Sequence, residues 1–133
     1  MKSKSRLLNS LSAAMACGFS FVLSQANAQT FVWTNPDTDG DWPTSSNWDS
    51  PPAFGADVTL DFSTLDLLEE NLMYMDDDVT VGTLLFGDTD PSHDWILVPG
   101  FAATLTLATT TGSPVIDVAN RSATLEPVLA GSQ

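Results

Sequence analysis

Cations are scarce in this chain: four Lys and Arg stand against 17 Asp and Glu, for a formal charge of −13. There is a single cysteine, Cys17, and a single histidine, His93. One cysteine builds no disulfide framework. One histidine builds no histidine cluster for zinc. The lack of cations argues against nucleic acid and anionic lipid as partners, because a surface this negative repels both. No Gly-x-Ser-x-Gly elbow and no phosphate-cradling glycine loop occurs, so two common routes to catalysis are missing. No helical hydrophobic period of useful length runs anywhere after residue 30.

What is present begins with a leader. Lys2, Lys4 and Arg6 open the chain, an apolar stretch follows from Leu7 to about Leu23, and Ala26-Asn27-Ala28 closes it. A positive start, a short apolar middle and a small-x-small triplet describe a secretory signal peptide, cleaved after Ala28. Asn9, Ser10, Ser12 and Ser20 interrupt the apolar stretch and make it a poor permanent span. Two alternatives are an uncleaved anchor and lipid attachment at Cys17, which follows Ala14-Met15-Ala16. The second would leave the apolar Phe19–Leu23 on the product. The expected organisation is therefore residues 1–28 as signal peptide and 29–133 as a β-rich exported segment. It would be secreted or held at the cell surface in association with an outer membrane, with no membrane span after cleavage. Cleavage removes Cys17 and three of the four cations, leaving Arg121 against all 17 acids and a formal charge of −16. Such a surface draws divalent cations, and its stability must come from packing, backbone ladders or bound ions.

Short β-like runs then recur with Gly, Pro or Asp between them. Thr30–Trp33 is followed by the turn formers Asn35–Asp41, and Asp57–Phe62 alternates polar and apolar. Val79–Gly87 reads as one strand, Trp95–Val98 as another ended by Pro99-Gly100, and Ala103–Leu107 alternates again. Val115–Val118 and Ala123–Leu129 close the series. Ser63–Asn71 is open between a helix capped by Ser63 or Thr64 and a loop leading into a strand. The fold class is all-β: a sandwich, a barrel or a β-solenoid.

The ordered set Trp33, Gly40-Asp41-Trp42, Asn47-Trp48 and Asp57–Phe62 resembles the opening of bacterial autotransporter-associated β-strand repeat proteins. Val79–Gly87, Ala103–Leu107 and Ile116–Ala119 are similar to the strand blocks that follow. The resemblance implies the start of a right-handed parallel β-helix, or solenoid, with a surface or adhesin-like role. A small β-sandwich is the alternative fold. Leu129-Ala130-Gly131 is similar to the segment that leads into glycine-rich repeats, so the chain reads as the truncated opening of a longer passenger. The partners implied are the downstream β-strand repeats, together with surface glycans or host and neighbour surfaces.

Candidate sites are few. Asp37, Asp39 and Asp41 alternate around Gly40, and such carboxylates can converge on Ca²⁺, a hard cation that takes six to eight oxygens. The spacing is not that of an EF-hand, and the competing reading is a solubilising acidic turn. Asp76-Asp77-Asp78, and Asp88, Asp90 and Asp94, read as solvated turns. The aromatic candidates are Trp33, Trp42, Trp48 and Trp95. Exposed, the first three could stack on sugars and make a carbohydrate-binding module; buried, the four would form an apolar plug, the commoner use of so large a ring. His93 beside Asp94 reads as an exposed turn residue. The Asn120-Arg121-Ser122 sequon matters only where the pathway glycosylates. No catalytic residue and no cofactor other than candidate Ca²⁺ is expected. The leading reading is a non-enzymatic structural or adhesin-like segment, followed by the sugar-binding module, with a secreted enzyme last.

Overall fold

The computed structural model describes residues 28–35 and 40–132. Residues 1–27, which carry nearly all of the expected signal peptide, lie outside the described residues. The rest forms a parallel β-solenoid of four coils. The first coil holds β1 (Thr30–Val32) and β2 (Gly40–Asp41). The second holds β3 (Thr59–Phe62), β4 (Asn71–Met75) and β5 (Val79–Val81). The third holds β6 (Thr83–Phe86), β7 (Trp95–Pro99) and β8 (Thr104–Ala108). The fourth holds β9 (Val115–Val118), β10 (Ala123–Leu125) and β11 (Val128–Ser132). Stacking the coils makes three sheets, β1-β3-β6-β9, β2-β4-β7-β10 and β5-β8-β11, in which every strand pair is parallel. A sandwich would require antiparallel sheets facing each other, so that alternative is overturned. Among the described residues no helix is long and apolar enough to cross a membrane.

The alternation read from sequence is what fills the interior. In β3, β4, β5 and β6 every second residue is buried, as period-two strands with one face inward require. The register then places like on like: Leu60 on Leu84, Phe62 on Phe86, Met73 on Leu97, Val81 on Leu107. The Phe62 and Phe86 rings lie 5.1 Å apart and 9° from parallel. That is close to the strand spacing of about 4.8 Å, so the backbone ladder itself sets the ring stack.

Three runs divide differently from their appearance in sequence. Val79–Gly87 is two strands, because the chain turns a corner at Gly82. A Cβ there would lie 2.7 Å from the Asp57 Cα of the coil below, so only glycine fits. Ala123–Leu129 likewise splits into β10 and β11 around Glu126-Pro127. Ser63–Asn71 is a loop, with β4 starting at Asn71. Ser63 caps no helix; its N–H and hydroxyl donate to the Asp61 carboxylate at 2.9 and 2.6 Å, closing a turn of the kind Asp side chains favour.

The two ends of the solenoid are unlike. At the first coil a returning segment, with a 3₁₀ turn at Ser45–Asn47, runs antiparallel beside β1. Thr34 N–H donates to Asn47 O, Asp49 N–H to Val32 O, and Val32 N–H to Asp49 Oδ1. The outer edge of β1 is thus paired. At the fourth coil, Ile116 and Val118 stand in register with Leu84 and Phe86, yet they are 38% and 39% exposed where the residues beneath are 0% and 1% exposed. Leu129, in register with Leu105 through the β8–β11 pairing, is exposed in the same way. Truncation should therefore be costly inside and cheap at the open end. Leu84→Ala is expected to lose about 2–5 kcal/mol and Ile116→Ala under about 1 kcal/mol in urea unfolding; equal losses would contradict this account of where the core ends.

Candidate functional site

The aromatic residues gather at the closed end. Trp33, Trp42 and Trp48 are 0%, 0% and 4% exposed, and all three pack on Phe62 at ring-centroid distances of 5.6, 5.4 and 5.4 Å. Trp33 meets Trp48 edge to face at 5.0 Å. Three indole N–H groups find carbonyls: Trp33 donates to Asn35 O, Trp48 to Trp42 O and Trp95 to Gly87 O, at 2.6, 2.8 and 2.7 Å. Gly40 admits the plug, since a Cβ there would collide with Trp33 Cζ2. Stacking on a sugar needs an open ring face, and Trp33, Trp42 and Trp48 present none. Phe54, stacked on Trp42 at 6.4 Å, is the ring of this group that reaches solvent.

Of the three candidate calcium ligands, Asp37 and Asp39 lie outside the described residues. Asp41 is exposed at the end of β2, where its carbonyl accepts from Asn47 Nδ2 and Thr44 N–H. Among the described residues no three His, Cys, Asp or Glu side chains converge. Asp76, Asp77 and Asp78 are exposed in the turn before β5, and Asp78 accepts from Thr104 N–H of the next coil at 2.7 Å.

Asp88 departs from the sequence reading. It is buried, not a solvated turn residue, at 1% exposure. Its carboxylate accepts the backbone N–H groups of Leu67, Ser92 and His93 at 3.0, 2.9 and 3.0 Å, and the Ser92 hydroxyl lies 3.1 Å away. Burial pushes its pKa up, but these hydrogen bonds outweigh burial and hold the carboxyl well below the usual carboxylate range. The Asp88 backbone also exchanges two hydrogen bonds with the Asn120 amide, at 2.9 and 3.0 Å, so the sequon side chain ties the fourth coil to the third. Of its neighbours, Asp90 is exposed as expected, while Asp94 pairs with Arg121 at 3.2 Å and accepts from Ser122 N–H. The signal available in sequence was an Asp four residues before Ser92, directly after strand and Gly87, the arrangement of a side-chain-closed turn.

His93 is half-buried rather than exposed. Its Nδ1 lies 2.7 Å from Ser92 Oγ and 2.9 Å from Leu67 O. Asp88, Ser92 and His93 thus meet, but the carboxylate contacts the hydroxyl and the His93 backbone instead of the ring. A Ser–His–Asp relay needs the ring between the other two. The cluster clamps the Leu67 loop onto the Asp88–Asp94 loop.

A polar cleft of about 300 Å³ opens at the corner between the first and third sheets, lined by Asp57, Thr59, Thr83, Thr110, Ser113 and Ala28. Asp57 sits at φ +67°, a left-handed conformation that Asp tolerates better than most residues. Its two oxygens accept from Thr110 N–H at 2.8 Å and Thr110 Oγ1 at 2.6 Å. The hydroxyl and then the N–H of Thr110 hold the Asp57 carboxyl below its ordinary pKa. In the sequence Asp57 stands out only as the first residue of an alternating run.

Comparison with family models, with curated proteins and with solved structures returns no match to this chain. The site geometry is the ground for any functional reading.

The Asp88 bracket has a definite pH signature. A carboxyl whose folded pKa lies below its unfolded value adds stability that is complete above about pH 4 and is lost as pH falls toward the folded pKa. Asp88→Asn is expected to cost about 1–3 kcal/mol at pH 7, since backbone donors lose a charged acceptor. It should also flatten the decline in stability between about pH 4 and pH 2. Urea unfolding of both chains across that range is the measurement, and parallel pH curves would count against the bracket.

Proposed function

We propose that this chain is the capped opening of an exported β-solenoid, with a structural or adhesin-like role at a cell surface and no enzymatic one. The observation that carries the reading is the contrast between the two ends. The first coil is closed by an aromatic plug and a paired edge. The fourth coil presents three strands and the half-exposed Ile116, Val118 and Leu129 in the registers that are buried one coil below. Solenoid stability comes largely from contacts between neighbouring repeats, and a terminal repeat with an apolar outer face invites another. The partner that fits is a further coil of the same kind, with apolar residues over Ile116, Val118 and Leu129. This agrees with the resemblance to passenger segments that continue into β-strand repeats.

The buried tryptophans remove the support for sugar stacking, and the Asp88–Ser92–His93 cluster supplies no relay, so neither competing class gains from the geometry. The DNA after the Gln133 codon, in this or a shifted frame, is expected to encode further strand repeats. A protein extended through the first of them should gain at least about 1 kcal/mol, or about 4 °C in Tm, and resist protease longer than residues 29–133. The reading falls if no such repeats are encoded, or if residues 29–133 unfold cooperatively as a monomer with the stability of the longer chain.

A further inference from the structure

We propose that the polar cleft at the corner of the solenoid seats the chain's own α-amino group after the leader is removed, with Asp57 as its counter-ion. The inference rests on the reading of residues 1–28 as a signal peptide cut after Ala28. The β1–β3 register begins with Thr30 opposite Thr59, and Gln29 O accepts from Thr59 N–H at 2.8 Å. Carried back along the same ladder, residue 28 comes opposite Asp57. Ala28 accordingly lines the cleft together with Asp57, Thr59 and Thr83. Cutting the Ala28–Gln29 bond removes one wall of the cleft and leaves the Gln29 nitrogen, newly an ammonium, at its mouth.

The cleft suits that group. Asp57 is the titratable residue among those lining it, and Thr110 anchors its carboxylate through two hydrogen bonds. The hydroxyls of Thr59 and Thr83 add acceptors that an ammonium can use. The charge balance points the same way. From Gln29 onward Arg121 is the one Lys or Arg side chain, and it is tied to Asp94. The α-ammonium is then the other fixed cation in a strongly negative molecule.

Pairing has a chemical consequence, because the first residue is glutamine. A free N-terminal Gln closes on itself. The neutral amine attacks its own side-chain amide carbon, a C–N bond forms, and the amide nitrogen leaves as ammonia. The protonated amine does not react. A neighbouring carboxylate favours the ammonium and raises its pKa above the usual value of about 7.7–8.0. Asp57 therefore protects the mature end from cyclisation.

The test uses residues 29–133 with an authentic Gln29 end, comparing the unchanged chain with Asp57→Asn. Asn accepts the left-handed conformation and can still take a hydrogen bond from Thr110. Asp90→Asn, at an exposed loop position, removes the same charge elsewhere. Ammonia loss followed by mass spectrometry near pH 8 should be about two- to five-fold faster in Asp57→Asn than in the other two, the size of an exposed ion pair. The α-amine titration should shift down with it. As a measurement independent of that variant's folding, the unchanged chain should cyclise faster in urea than when folded. Equal rates and equal titrations in all three chains, or no acceleration in urea, overturn the proposal. Sequencing the exported protein is a separate matter: a start other than Gln29 sinks the cleavage reading, whereas the charge comparison is made on a defined end.

Discussion

Parallel, in-register stacking of one coil on the next is the constraint from which the rest of this molecule follows. A parallel ladder repeats every strand at one fixed spacing, so a residue that faces inward in one coil faces inward in the next. The interior must then be built of columns. Phe31, Leu60, Leu84 and Ile116 form one, Phe31 placed by the β1–β3 pairing; Phe62, Phe86 and Val118 form another, on which the Trp33 ring packs just past the end of β1. Large rings suit such columns because planar groups repeat well at strand spacing. A column also has to end. At the closed end it finishes in indoles too large for the strand spacing, packed edge to face and covered by the returning 45–49 segment. At the other it stops at aliphatic residues with nothing above them among the described residues.

The same stacking explains the acids. Corners bring together backbone N–H groups that no ladder pairs, and an uncovered donor near the core is costly. Carboxylates answer that need repeatedly. Asp49 takes Val32 N–H, Asp57 takes Thr110, Asp78 takes Thr104, Asp94 takes Ser122, and Asp88 takes three donors at once. Several of these bonds join one coil to another, so they do the work of crosslinks in coils that contain no cysteine among the described residues. A composition that suggested bound cations or mere solubility has this further use in holding corners.

The strands were legible in the sequence because period two is a local signal. Asp57–Phe62 and Ala103–Leu107 announce which residues face inward without any knowledge of their neighbours. The corners were hidden because their signals lie one coil away. Gly82 sits inside an apolar run and matters only for the approach of Asp57, twenty-five positions earlier by numbering. Asp88 looks like any acid in a turn until the Leu67 loop, from the coil below, supplies its donor. The tryptophans fall between these cases. Their size favoured burial in advance, yet the segment that covers them is polar and short, and nothing in its own composition says it runs beside β1. Of the proposed calcium ligands, Asp37 and Asp39 fall outside the described residues, and the cleft residue Asp57 gave no sign in sequence of being more than the start of a strand.

The acidic load and the open coil bear on each other. Hydrogen-bonded carboxylates such as Asp57 and Asp88 stay ionised to lower pH, so the bonds that hold the corners also preserve the net charge that repels one molecule from another. An exposed set of unpaired parallel strands is a template for uncontrolled pairing between copies. From Gln29 onward 17 acids stand against Arg121, so two copies would have to bring like charges together to pair at that end, and over distances beyond about 8 Å at physiological salt this repulsion fades, so it acts mainly as surfaces close. The charge thus opposes pairing between copies at that end, by the same carboxylates that tie the coils together.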